Sequence, residues 1–191
     1  MNKNLKPITL VVLIDFHGHP VLAPDEEMNV LRYNALKRLA FGPPADIAYI
    51  CNVPDFNKTP KLIEIETLVG LDGRNPWYNI DPDDKNIDTH YIDRMLAKDG
   101  YRIENVIVGG CNTAGCVTWT KPYGAIHWGK RGYQTKVWLP LCGEYQMAGH
   151  TTAECNMIAM EMMYEYIVDA EVTKQVKIVA NPFRLDIKYR D

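Results

Sequence analysis

The sequence predicts an α/β fold in which a parallel β-sheet is covered on both faces by helices. Three observations lead there. The run ITLVVLID at 8–15 is almost continuously aliphatic and β-branched, as in a strand buried on both faces. Strand-like and helix-like segments then alternate down the chain, the pattern of a parallel sheet joined by helical crossovers. With 191 residues, 47% of them hydrophobic, the chain can fill one sizeable core and is short for two. A single domain spanning 1–191 is therefore expected.

Each element has its own signal. Asp15 ends the first strand, and after Pro20 and Pro24 the acid Asp25 can cap a helix over 26–40, where Met28, Leu31, Ala35, Leu36 and Leu39 fall near helical spacing. Gly42-Pro43-Pro44 stops it. DIAYICNV at 46–53 reads as a second buried strand and LIEIETLV at 62–69 as a shorter third. Residues 70–88 are rich in Gly, Pro, Asp and Asn and read as a long polar loop. A helix over 89–98 leads through Gly100 to a strand at 104–110. The stretch 116–132 is helical with a disturbance at Pro122. A strand at 134–141, a strong helix at 150–170 and a strand at 174–181 complete the pattern.

Composition narrows the function. Lys and Arg number 21 against 24 Asp and Glu, a net charge of −3, and there is no basic block to track a phosphate backbone. Nucleic acid is not an expected partner. Lys3 and Lys6 before Leu10–Ile14 imitate a signal peptide, but the apolar run stops at Asp15 and no small-residue cleavage site follows. No apolar stretch approaches the roughly 20 residues that span a bilayer. Five cysteines without close, regular spacing read as free thiols in a reducing compartment, so a cytoplasmic protein is expected.

Ligands of open parallel sheets bind beyond the carboxyl ends of the strands. Two such ends carry chemistry: Asp15 after the first strand, and GGCNTAGCV at 109–117 after the fourth. The glycines at 109, 110 and 115 allow a tight passage from strand to helix. Phosphate cradles do not fit, because Cys116 stands where a P-loop needs Lys and the glycine spacing is not GxGxxG. What remains is a thiol near a helix start, where unpaired N–H groups favour a thiolate. A free thiol is only about 3% ionised at pH 7, and lowering its pKa by two units needs roughly 2.7 kcal/mol. A helix terminus supplies about 0.3–1 kcal/mol, so a base or a cation must add the rest. Asp15 is a candidate proton acceptor and a lysine a candidate counter-charge. The plain alternative for Cys116 is a small buried hydrophobe. Cys51, Cys111, Cys142 and Cys155 lack its setting and are read as packing residues.

These residues resemble a known family. VIVGGCNTAGCV is similar to the nucleophile motif of the isochorismatase-like cysteine hydrolases, through Gly110, Thr113, Cys116 and Val117, and LVVLIDFH resembles that family's first strand, with Asp15 at the catalytic acid. The resemblance implies a three-layer α/β/α, Rossmann-like fold with a six-stranded parallel sheet. It further implies cleavage of the C–N bond of a small amide through a Cys thioester, by a triad of Cys116, Asp15 and a lysine. Lys85 is the basic residue at the implied place, with Arg74 in reserve. The N–H groups of Asn112 and Cys116 would form an oxyanion hole, with a cis peptide between Cys111 and Asn112. His17, where many members carry Gln, His19 and Trp119 would line the substrate pocket. The sequence departs from the family where Ala114 replaces a common acid and Pro122 interrupts the helix.

No cofactor is called for, and the implied assembly is a homo-oligomer acting on a small molecule. The methionines at 157, 160, 162 and 163, with Tyr164 and Tyr166, read as core or subunit interface. Two other readings stay open. One is a domain of this type that binds without turnover. The other is a metal-dependent hydrolase, because Asp15, His17 and His19 alternate along an extended chain and could share a metal with His90, His127 or His150.

Overall fold

In the computed structural model, which describes residues 4–15, 46–52, 75–143 and 149–180, six parallel strands form one sheet. They are β1 (Lys6–Ile14), β2 (Ile47–Asn52), β3 (Trp77–Asn79), β4 (Tyr101–Cys111), β5 (Gln134–Gly143) and β6 (Val176–Val179), in the spatial order 3-2-1-4-5-6. Every pairing is parallel, as the unbroken apolar runs predict. In β1, Leu10 to Ile14 are at most 1% exposed, and the apolar residues of β2 are at most 3% exposed. Burying each large aliphatic side chain contributes roughly 1.5–3 kcal/mol, so these two strands anchor the middle of the sheet.

The helices are α1 (Thr89–Lys98), a π-helix (Thr113–Thr120), α2 (Ala125–Lys130) and α3 (Thr152–Asp169). Asp88 caps α1 by accepting the Tyr91 N–H at 2.7 Å, and Ile92 and Leu96 bury its inner face. Arg131, just past α2, ties it to α1 by donating to the Thr89 carbonyl at 2.6 Å and to Asp93 at 2.7 Å. Thr151 and Glu154 form a capping box at the start of α3. Cys155, Ala159, Met163 and Ile167, four residues apart, are its buried stripe. Of the four methionines expected to be core or interface, only Met163 is buried.

The third strand of the sheet lies inside the expected loop of 70–88. Trp77–Asn79 is too short for a periodic signal and sits among turn-forming residues, yet it pairs in register with Tyr49–Cys51 of β2. The expected strand at 62–69 and helix at 26–40 fall outside the described residues. The helical stretch expected at 116–132 divides in two, because Pro122 cannot continue a helix and keeps Lys121 extended (φ −84°, ψ 136°). None of the described helices is long and apolar enough to cross a membrane.

Candidate active site

The strand order reverses beside β1, and the carboxyl ends of β1, β2 and β4 meet there: Ile14 pairs with Asn52 on one side and with Gly110 on the other. That is the crevice where open α/β sheets bind ligands. Asp15 follows Ile14, Asn52 ends β2, and the Cys111–Cys116 turn leaves β4, so register alone brings these three segments to one edge.

Asp15 sits in the left-handed region at φ 44°, a conformation that costs a non-glycine residue about 1–3 kcal/mol unless its surroundings hold it. Asn52 does so from two directions. Its carbonyl oxygen accepts the Asp15 backbone N–H, and its amide nitrogen donates to Asp15 Oδ1 at 3.1 Å. The same nitrogen donates to the Tyr123 hydroxyl at 3.0 Å. Asn52 is fully buried and its amide carries three hydrogen bonds, which fixes the carboxylate's orientation. Burial pushes the Tyr123 hydroxyl well above the ordinary phenol range, so Tyr123 stays neutral in this network.

The turn between β4 and the π-helix depends on two glycines. Gly110 has φ 143°, and a Cβ there would overlap the Ile14 carbonyl; only glycine lets β4 press this closely on the end of β1. At Gly115 a Cβ would come within 2.7 Å of Asn112 Oδ1, the atom that accepts the Gly115 N–H at 2.8 Å and caps the following helix. Asn112 itself is left-handed, at φ 55°, which asparagine tolerates. The Cys111–Asn112 peptide, expected to be cis, is trans. Asn112 makes the turn with its φ and ψ instead.

Cys116 lies within the first turn of the π-helix, three residues beyond the start of that helix. The Asn112 carbonyl accepts from Val117, five residues on, at 3.1 Å, and the Thr118 hydroxyl donates to the Thr113 carbonyl at 2.6 Å. The wide turn thus passes over the Cys116 N–H, which an α-helix would have bonded to Asn112. The thiol is half-buried, and burial is the main cause that pushes its pKa above the ordinary value. A hydrogen bond with Thr120 pulls it down. The charge of Asp15 and a hydrogen bond to that carboxylate push it up, and the charge of Lys121 pulls it down. Cys116 and Asp15 therefore lie near enough for the carboxylate to act on the thiol.

The other expected site residues divide. Lys85 is exposed in the turn before α1, without a hydrogen bond or ion pair among the described residues. Trp119 is 47% exposed and packs its ring on Tyr166 of α3, with centroids 5.7 Å apart. His17, His19 and Arg74 fall outside the described residues. His90 and His150 are exposed, and the His127 ring bonds the Trp119 carbonyl at 2.8 Å. Among the described residues, no three His, Cys, Asp or Glu side chains are grouped to hold a metal. Asn52 and Tyr123 join the site without having been expected there, and Lys121 acts on the thiol through its charge. Asn52 had a signal, since a polar residue ends the apolar run of β2 as Asp15 ends that of β1. Tyr123 and Lys121 had none, because only the break at Pro122 turns them inward.

No family model matches the chain, and no curated protein matches its sequence. Three solved structures resemble it in fold. YcaC from Pseudomonas aeruginosa, determined with hexane-2,5-diol and covalent acrylamide, superposes with a TM-score of 0.54 over 94% of this chain and 77% of its own, at 15% identity. The MAR1 ribonuclease from Caenorhabditis elegans gives 0.48 over 87% and 76%, at 14% identity. A dodecameric FMN-dependent UbiX-like decarboxylase from Escherichia coli O157:H7 gives 0.40 over 96% and 84%, at 14% identity. With its six parallel strands in the order 3-2-1-4-5-6, the chain shares the α/β fold of YcaC.

Proposed function

We propose that residues 1–191 form one cysteine hydrolase domain that opens the C–N bond of a small amide through a thioester on Cys116. The observation that carries this reading is the convergence of Asp15 and the turn bearing Cys116 at the sheet's switch point, where the carboxylate acts on the thiol. Asp15 takes the thiol proton, and the thiolate attacks the amide carbonyl carbon. The tetrahedral oxyanion is met by the backbone N–H groups of Cys116 and Asn112. As the C–N bond breaks, Asp15 returns the proton to the leaving amine. Water then adds to the thioester with Asp15 again as base, and the carboxylic acid leaves with the Cys116 thiol restored.

A thiol whose pKa is raised in the fold is less ionised at pH 7 than a free one, so the base must act in the same step as attack. This gives a sign for pH dependence: alkylation of Cys116 reaches half its maximum at a higher pH than that of a free thiol. Acrylamide, which is covalently bound in the YcaC structure, is a suitable probe. Incubation with a panel of small primary amides followed by intact-protein mass measurement should reveal an acyl adduct that Cys116→Ala lacks. Full turnover in Cys116→Ala would end the proposal.

One observation favours a second reading, a binding domain without turnover. The net upward push on the thiol is the opposite of what a free-standing nucleophile needs. An acyl-enzyme separates the two readings. The apolar side chains that α3 exposes, Met157 and Tyr164 both at 62%, support a homo-oligomer, which solution mass measurement tests.

A further inference from the structure

We infer that Lys121, supplied by the nucleophile's own helix, is the cation that balances the Asp15–Cys116 pair, in place of a lysine from the loop before α1. The inference rests on the cysteine-hydrolase reading of the site and deepens it. Lys121 follows the last residue of the π-helix, five positions beyond Cys116. In a helix of i to i+5 bonds that spacing stacks two residues one turn apart. The backbone brings them together a second way. The carbonyls of Cys116 and Lys121 both lie 3.1 Å from the point where Gly124 would carry a Cβ, so the chain after Pro122 folds back over the thiol's turn.

Pro122 is the cause of this arrangement. It bars Lys121 from the helical region, ends the helix at Thr120, and opens a turn closed by the Gly124 N–H on the Lys121 carbonyl at 2.8 Å. The turn aims two groups inward. Tyr123 reaches Asn52, and the half-buried Lys121 extends its ammonium to the Pro82 carbonyl at 3.3 Å. Pro82 belongs to the segment between β3 and α1 from which Lys85 was expected to act, but Lys85 itself faces solvent three residues further on. The charge thus arrives at that loop from the opposite side.

Among the described residues, the groups acting on Cys116 are Asp15 from the end of β1, Thr120 and Lys121 from its own helix, and the neutral Tyr123 from the turn beyond. Of these Lys121 is the one cation. With Asp15 alone, a thiolate would form beside a like charge. Lys121 offsets that charge and acts on the reaction through Cys116, as a positioning residue.

The test is the pH profile of Cys116 alkylation by iodoacetamide, read on the intact protein and requiring no turnover. Lys121→Gln should move the profile to higher pH and slow alkylation at pH 8 by about three- to tenfold, since each pKa unit changes the thiolate fraction about tenfold. Lys121→Arg should restore the wild-type profile, and Lys85→Gln should leave it unchanged. Lys121→Met, which keeps the stem's length, repeats the test should the glutamine variant fail to fold. A wild-type profile in Lys121→Gln or Lys121→Met, or a shift in Lys85→Gln, would overturn the inference. If no amide acylates the protein but the profile still follows Lys121, the hydrolase reading fails while the role of Lys121 stands.

Discussion

The ends of β1 and β4 bring Asp15 and Cys116 to one edge by opposite means. Asp15 is held by side chains: its backbone is left-handed, and Asn52 restrains both its N–H and its carboxylate. Cys116 is held by backbone: glycine allows β4 to touch β1, Asn112 caps the turn, and a π-helix fixes the direction of the thiol. In the proposed reaction an acid that accepts and returns a proton needs one orientation, which buried hydrogen bonds supply. A nucleophile would need room around its sulfur, and Cys116 is only half-buried.

The difference predicts different failures. The largest effect is expected at Gly110. Gly110→Ala forces a Cβ into the Ile14 carbonyl and strains a positive φ, so β1 and β4 must separate at the site edge. A loss of more than about 3 kcal/mol in chemical unfolding is expected, enough to threaten folding. A variant as stable as the wild type would mean that the close approach is not needed. On the β1 side the effect is smaller and more selective. Asn52→Ala should cost about 1–3 kcal/mol, because Asp15 and the Tyr123 hydroxyl lose a buried partner.

Asn52→Asp sharpens the same point through pH. A second carboxylate would stand where Asn52 Nδ2 now lies 3.1 Å from Asp15 Oδ1, and two such groups cannot both ionise cheaply. The folded pair holds a proton that the unfolded chain gives up near pH 4, so its folded pKa is raised. That contribution to stability is complete below about pH 4 and is lost as pH rises through the folded value. Melting temperature against pH should therefore fall from pH 4 to 7 in Asn52→Asp more than in the wild type. Parallel curves would mean that the two side chains are not in contact.

The sequence carried the architecture better than the site. Buried parallel strands announce themselves, and the ends of β1, β2 and β4 were legible to within a few residues, together with Asp15 and Cys116 at two of them. β3 was not, because three residues between turn formers have no period to read. Asn52 was half legible: a polar residue ending an apolar strand is visible, but that β2 lies beside β1 is a property of the topology. Lys121 and Tyr123 were hidden for a different reason. Pro122 reads in sequence as an interruption, and only in three dimensions does the break become the turn that carries Tyr123 to Asn52 and Lys121 to Pro82.

The smallest effect separates backbone from side chain at Asn112. Asn112→Gly keeps the left-handed turn and removes only the cap on Gly115, for which glycine is a fair substitute worth a few tenths of a kcal/mol. Asn112→Ala loses the cap and must also hold a Cβ at φ 55°, so about 1–2 kcal/mol is expected by denaturant unfolding. If placement through the main chain is what aims Cys116, alkylation of Cys116 should follow the same order: near wild type in Asn112→Gly and slower in Asn112→Ala. Equal alkylation rates with unequal stabilities would show that the π-helix aims the thiol without help from the turn before it. Slow alkylation in both variants would instead make the Asn112 amide, which bonds Gly115 one residue before Cys116, the part that matters.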